Sequence, residues 1–236
     1  MDCRADPFKD NNVRLALKYA LDRQEMVDKI LHGYGMVGND HPVGPSNRYF
    51  YADMEKHTYD PDKAKFYLKE AGLDSLSVQL SAADAAFTGA VDAAVLFSAK
   101  AAAAGITINV VREPNDGYWD NVWMKQPFCA VYWGGRPTED WVFTTTYASG
   151  APWNDTFWSN ARFDELLLAA RSELDEDKRR EMYHEMQSIC ANDGGTIVPM
   201  FASYVMGLSD KIGHEETVAG NWTLDGFRAL ERWWFV

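Results

Sequence analysis

Positive charge is scarce in this sequence: 23 lysines and arginines stand against 35 aspartates and glutamates, a formal net charge of −12. That balance argues against a nucleic-acid-binding surface and favours solubility. Cysteine is scarcer still. Cys3, Cys129 and Cys190 are scattered, odd in number and without C-x-x-C spacing, so neither a complete disulfide framework nor a zinc site is expected. The five histidines (His32, His41, His57, His184, His214) show none of the helical metal-ligand spacings. We therefore expect no metal and no cofactor. G-x-S-x-G and Walker patterns are also missing, which removes two common routes to nucleophilic and phosphoryl chemistry. No run approaches the roughly 18 consecutive apolar residues of a membrane span. The opening Met1-Asp2-Cys3-Arg4-Ala5-Asp6 has neither the basic nor the apolar region of an export signal, so these residues carry no address.

What is abundant is apolar and aromatic: 47% of the 236 residues are hydrophobic and 14% aromatic, enough for one sizeable core. The centre of the chain is Phe128-Cys129-Ala130-Val131-Tyr132-Trp133, an apolar run stopped by Gly134-Gly135 and followed by Arg136-Pro137-Thr138-Glu139-Asp140. It reads as a strand buried on both faces, with Cys129 in the core, feeding a loop at its carboxyl end. Open α/β sheets bind ligands at such ends, so Trp133 to Asp140 is the first place to look for a site.

The surrounding pattern is helix and strand in alternation. Val13 to Leu31 reads as two helices meeting at Asp22, whose partner Glu25 completes a capping-box pattern. Gly33-Tyr34-Gly35-Met36-Val37-Gly38 matches G-x-G-x-x-G but follows a helix, so no dinucleotide site is read there. Asp60-Pro61-Asp62 starts another helix, closed by Gly72. Leu76 to Ser81 alternates as a strand, Phe87 to Ala104 is an alanine-rich helix, and Ile106 to Val111 is the next strand. Strand, helix, strand with short joints predicts parallel strands at 76–81, 106–111 and 128–132 in one sheet. Helices capped by Asn160 and Asp175 follow, then a buried strand at 196–201 and an apolar tail from Trp222 to Val236.

Glu139 and Asp140 are the neighbouring carboxylates that an acid–base enzyme acting on carbohydrate would need, although Asp140 can equally cap a helix beginning at Trp141. A structural interaction domain, with the loop buried against its own chain, is a further alternative.

Several stretches, in order, resemble the extracellular solute-binding proteins of peptide, opine and nickel ABC importers (family 5). They are Val13-Arg14 through Ala20-Leu21-Asp22-Arg23, Tyr59-Asp60-Pro61-Asp62-Lys63-Ala64, Ala71-Gly72, Ala104-Gly105-Ile106, Trp133, Asn160 through Leu167, Arg179 through Tyr183 and Ile197-Val198-Pro199. The resemblance implies an α/β fold, the C-terminal lobe of a two-lobed periplasmic-binding-protein architecture with a mainly parallel sheet flanked by helices. It implies a ligand-binding lobe at 1–203 and a tail at 204–236 returning toward a missing first lobe, with any export signal left on that missing part. It further implies a non-enzymatic, periplasmic or extracytoplasmic protein that captures a small solute and delivers it to an ABC transporter permease. Peptide-binding members place an aspartate a few residues after the tryptophan; Arg136 stands there in this chain. The expected ligand is then a peptide-like or other carboxylate-bearing solute held by Arg136, between Trp133 and Trp153, with Asn154 as a polar contact and Tyr132, Gly134, Gly135 and Asp140 around it. An internal salt bridge from Arg136 to Glu139 or Asp140 is the competing expectation. An uncovered tail would allow two copies to associate.

Overall fold

The computed structural model describes every residue but Asn221. Its central unit is a parallel pair of strands, preceded by a short strand β1 (Gly35–Val37). β2 (Leu76–Ala82) and β3 (Ile106–Arg112) pair from Leu76 opposite Ile106 to Ala82 opposite Arg112. Alternation sets the faces: Leu76, Val78 and Leu80 are buried while Ser77 and Gln79 are exposed. The crossover helix α4 (Ala90–Ala101) lays Ala93, Ala94, Phe97 and Ala101 into the same core. Its end runs through a 3₁₀ turn at 102–104 into Gly105, whose φ of 76° lies in the left-handed region that glycine tolerates.

Helices α1 (Asn11–Tyr19), α2 (Arg23–Lys29) and α3 (Pro61–Glu70) complete this half. The expected caps are present. Asp22 accepts from the Glu25 amide, and Asp60 accepts from the amides of Asp62 and Lys63.

The third parallel strand is not formed as expected. Segment 128–132 meets β2 at a single parallel bridge, Ser81 to Cys129, closed by Ser81 N–H to Phe128 O (3.0 Å) and Ala130 N–H to Ser81 O (2.9 Å). Phe128 is buried, but Cys129, Ala130 and Val131 are half-buried and Tyr132 is exposed. An apolar run does not distinguish a strand covered on two faces from a segment that surfaces and carries aromatic rings outward. The strand expected at 196–201 is also shorter, β4 (Met200–Ala202), antiparallel to β1. Pro199 has no N–H to give a ladder, which moves the start of pairing past it.

The glycines of the G-x-G-x-x-G stretch serve this pairing. A Cβ on Gly35 would lie 2.6 Å from the Phe201 carbonyl oxygen, and one on Gly38 would run into the Val198 carbonyl. Gly38→Ala is accordingly expected to cost about 1–3 kcal/mol through forced backbone movement; urea unfolding of the variant measures it, and an unchanged midpoint would refute the close-approach argument.

A second core forms among α6 (Glu139–Thr146), α7 (Ala161–Ser172) and α8 (Glu176–Asp193), around Phe143, Tyr147, Trp158, Phe163, Tyr183 and Met186. A short helix α5 (Tyr118–Asn121) precedes the Phe128 segment. Asn160 and Asp175 cap α7 and α8 as expected. Thr138, not Asp140, caps α6: its hydroxyl accepts from the Trp141 amide, and Asp140 lies inside the first turn.

The long loop 38–59 is fastened to the second core by side chains. Gln187, fully buried, donates to Tyr49 O (2.7 Å) and accepts from the Tyr51 amide (2.9 Å). Glu139 accepts from the Tyr49 amide at 2.7 Å.

Between the two halves lies a buried ionic cluster. Asp40 Oδ2 accepts from Arg23 Nη2 (2.6 Å) and lies 2.7 Å from His57 Nδ1, while Oδ1 accepts from the Val198 amide (3.0 Å). Burial alone would raise the Asp40 carboxyl; the Arg23 guanidinium and the His57 hydrogen bond outweigh it and hold the group far below the ordinary carboxylate range. Nearby, Lys18 Nζ donates to the carbonyls of Ala191 (2.7 Å) and Gly194 (2.8 Å), a cation at the carboxyl end of α8. Burial lowers its amine to about 8.

Beyond residue 203 the chain forms β5 (Ile212–Gly213) and β6 (Trp234–Phe235), paired antiparallel. Large apolar side chains there face outward: Leu230 is 100% and Phe235 87% exposed. No helix among the described residues is long and apolar enough to cross a membrane.

Candidate functional site

The loop after the Ser81 bridge brings together most of the residues expected from the sequence. Trp133 is half-buried; its ring centroid lies 6.0 Å from that of Trp153, which is 49% exposed. Tyr132, 57% exposed, lies 5.7 Å from Trp119. Gly134 and Gly135 present their carbonyls to Arg136 Nη1 at 2.9 and 3.4 Å. The guanidinium carbon then sits 6.0 Å from the Trp133 ring centroid and 5.9 Å from that of Trp141, within cation–π range.

Arg136 forms no salt bridge to Glu139 or Asp140, because both carboxylates have other partners. Asp140 Oδ1 accepts from Arg171 Nε at 2.6 Å, and Glu139 is buried against the Tyr49 amide. Among the described residues, Nη1 carries all of the hydrogen bonds of Arg136, which leaves Nε and Nη2 unused. Those two atoms form one edge of the fork. Arg162 shows what that edge does: its Nε and Nη2 grip the two oxygens of Glu185 at 2.7 and 3.0 Å.

Asn154 is placed differently from the expectation. It is buried, and its amide nitrogen donates to the carbonyls of Tyr147, Ala148 and Trp158, while its oxygen accepts from Thr156. Its polar atoms hold the 147–158 loop together and are not offered to a ligand. The sequence reading missed three contributors. Trp119 and Trp123 belong to the same wall, and Asp155 accepts from the indoles of Trp123 and Trp133. The i, i+4 spacing of Trp119 and Trp123 was the available signal; nothing in the local pattern marks Asp155.

The candidate site exposes the rings of Tyr132, Trp141 and Trp153. Cavities of about 220 Å³, lined by Met36, His41, Phe50 and Met54 among others, and about 200 Å³, lined by Phe8, Ser77, Gln79 and Phe128 among others, involve none of the loop from Trp133 to Asp140. Among the described residues no cluster of three or more His, Cys, Asp or Glu could hold a metal.

The profile of the bacterial extracellular solute-binding proteins, family 5, middle region, matches residues 1–155. The chain belongs to this family. Among curated relatives, the dipeptide-binding protein of Escherichia coli (strain K12) is 27% identical over 207 residues, 81% of this chain and 37% of that protein. The glutathione-binding protein GsiB of Salmonella typhimurium is 24% identical over 95% of this chain and 44% of its own length. The chain thus spans about two fifths of these relatives. Among solved structures, the ABC transporter substrate-binding protein CtaP of Listeria monocytogenes superposes with a TM-score of 0.77 over 91% of this chain and 45% of that one, at 22% identity. NikZ of Campylobacter jejuni, in complex with Ni(L-His), gives 0.72 over 85% and 42%, also at 22% identity. At these identities the structural matches speak for the fold, a lobe of the solute-binding proteins. The family is one of transport binding proteins, and the α/β reading of the sequence agrees with it.

Proposed function

We propose that residues 1–203 are the ligand-binding lobe of an ABC importer's solute-binding protein and that Arg136 receives a carboxylate of a small peptide-like or opine-like solute. The observation that carries this is the Nε/Nη2 edge of Arg136, unused among the described residues and within cation–π range of two indoles, with neither nearby carboxylate paired to it. A guanidinium stays charged at physiological pH and matches a carboxylate with two parallel hydrogen bonds. Trp133 and Trp153 supply apolar walls; Tyr132, Gly134 and Gly135 shape the loop, and Asp140 fixes α6 through Arg171. Residues 204–236 serve as a tail whose exposed apolar side chains are covered by the remainder of a longer, two-lobed protein, in preference to a second copy. Such a protein works outside the cytoplasmic membrane, in the periplasm or its equivalent, and hands its solute to the permease. This reading gives Glu139 and Asp140 structural roles, supported by the separate internal partner that each has.

Mass spectrometry of small molecules carried by the two-lobed protein identifies the solute, and calorimetry with that solute supplies the test. Arg136→Ala is expected to weaken binding by about 1.5–3 kcal/mol, the range for hydrogen bonds to a charged partner. Arg136→Lys recovers part of the loss, because lysine keeps the charge without the fork. Unchanged affinity in Arg136→Ala would assign the arginine to holding its own loop.

A further inference from the structure

Trp123 and Trp133 donate their indole N–H groups to one oxygen, Asp155 Oδ2, at 3.1 and 3.2 Å. The three residues come from separate places: the end of the α5 turn, the segment after the Ser81 bridge, and the loop before α7. One carboxylate therefore ties three stretches of chain at a single point. Burial raises the Asp155 carboxyl while the two indole N–H groups favour its ionised form. A half-buried acid is costly unless it is hydrogen-bonded, and the two indole N–H groups supply that compensation.

What it does is fix the rings. An indole has one donor, and anchoring that donor fixes the N–H edge of the ring, while the neighbouring rings packed against it restrict the direction of its face. The rings form a series: Tyr132 to Trp119 at 5.7 Å, Trp119 to Trp123 at 6.0 Å, Trp123 to Trp133 at 6.2 Å and Trp133 to Trp153 at 6.0 Å. Those separations fall within the roughly 4.5–7 Å of favourable aromatic pairs. Trp123 and Trp133, the two anchored members, are the third and fourth of the five rings, and the exposed Tyr132, Trp119 and Trp153 flank them.

We propose that Asp155 is the positioning residue of this wall, and that the wall so held selects a solute carrying a flat apolar ring next to its anionic end. The proposal rests on the reading of Arg136 as the anion contact. Rings favour a ring here because edge and face contacts with fixed indoles depend on mutual orientation, whereas an aliphatic chain gains only from area.

The test uses the two-lobed protein that carries these residues, ¹⁵N-labelled at tryptophan, with the indole N–H signals of Trp123 and Trp133 assigned by single Trp→Phe variants. It is titrated with Ala-Phe and with Ala-Ala. Ala-Phe is expected to shift the Trp133 indole signal and to bind at least fivefold more tightly than Ala-Ala. Asp155→Leu should remove that preference while leaving Ala-Ala binding within twofold, and Asp155→Asn should keep it, because an amide oxygen still accepts from the indoles. Equal affinity for the two dipeptides, no shift with either, or an intact preference in Asp155→Leu would each overturn the proposal. Should Asp155→Leu fail to fold, Trp133→Phe retains a ring without the anchoring donor, and a full preference in that variant is equally fatal. Arg136→Ala separates the two ideas: it weakens both dipeptides alike if the anion contact is right, and wild-type affinity for both would sink that reading alone.

Discussion

Asp40→Ala is expected to destabilise the chain by about 3–5 kcal/mol, the cost of leaving a buried charge without its partner. Arg23 is almost wholly enclosed and directs Nη2 at Asp40; with the carboxylate gone, the guanidinium keeps only carbonyl partners, among them Lys18 O at 2.9 Å. The Val198 amide and His57 Nδ1 lose their acceptor in the same step. Urea unfolding measures the effect, and a loss under about 1 kcal/mol, the range of an exposed pair, would show that the cluster is solvated. The pH dependence has a definite sign. An unfolded Asp40 titrates near its ordinary value of 3.8, and the folded group lies below it, so the unfolded chain takes up the proton first. The contribution is full above that value and is lost as the pH falls through the folded one. Asp40→Asn should flatten this part of the acid profile.

Phe143→Ala should cost a similar amount, about 3–5 kcal/mol, by opening a cavity at the centre of the second core. The ring is fully buried, edge-on to Phe163 at 5.2 Å and to Tyr147 at 6.0 Å, and near-parallel to Tyr183 at 6.3 Å. Phe143→Leu keeps most of the volume and should lose much less. The same unfolding experiment reads both, and equal losses would mean that ring geometry, not volume, dominates. Because α6 also carries Glu139 and Asp140, a loosened Phe143 would reach the loop after Arg136 through the Tyr49 and Arg171 contacts.

Local chemistry made the helices readable. Asp22, Asp60, Asn160 and Asp175 cap helices because a short side-chain oxygen reaches the free amides of the first turn, which needs no knowledge of the rest of the chain. The parallel pair was readable from alternation and the crossover length. The 128–132 segment was not, since its pairing depends on which neighbours cover it, and aromatic residues satisfy a buried strand and a surface wall equally well. The site was half legible. Arg136 and Trp133 stood out beside the glycines, but Asn154, expected as a polar contact, turns inward to carbonyls, and Asp155 next to it, to which the sequence reading gave no role, gathers two indoles from elsewhere in the chain. Which of two adjacent loop residues turns inward is decided by the fold around them.

The lysine in α1 has a consequence for the order in which the chain assembles. Its acceptors, Ala191 and Gly194, lie 173 and 176 residues downstream, at the far end of α8. A ribosome releasing the chain from its N-terminus delivers α1, the parallel pair and α4 long before those carbonyls exist, so the nascent protein must wait with Lys18 hydrated and the seam between its halves unsealed. Contacts of such sequence separation close late, after their loop entropy has been met by nearer ones. The seam between α1 and the end of α8 is therefore among the later contacts of the chain to close, and Lys18 is its last polar fastening to be made.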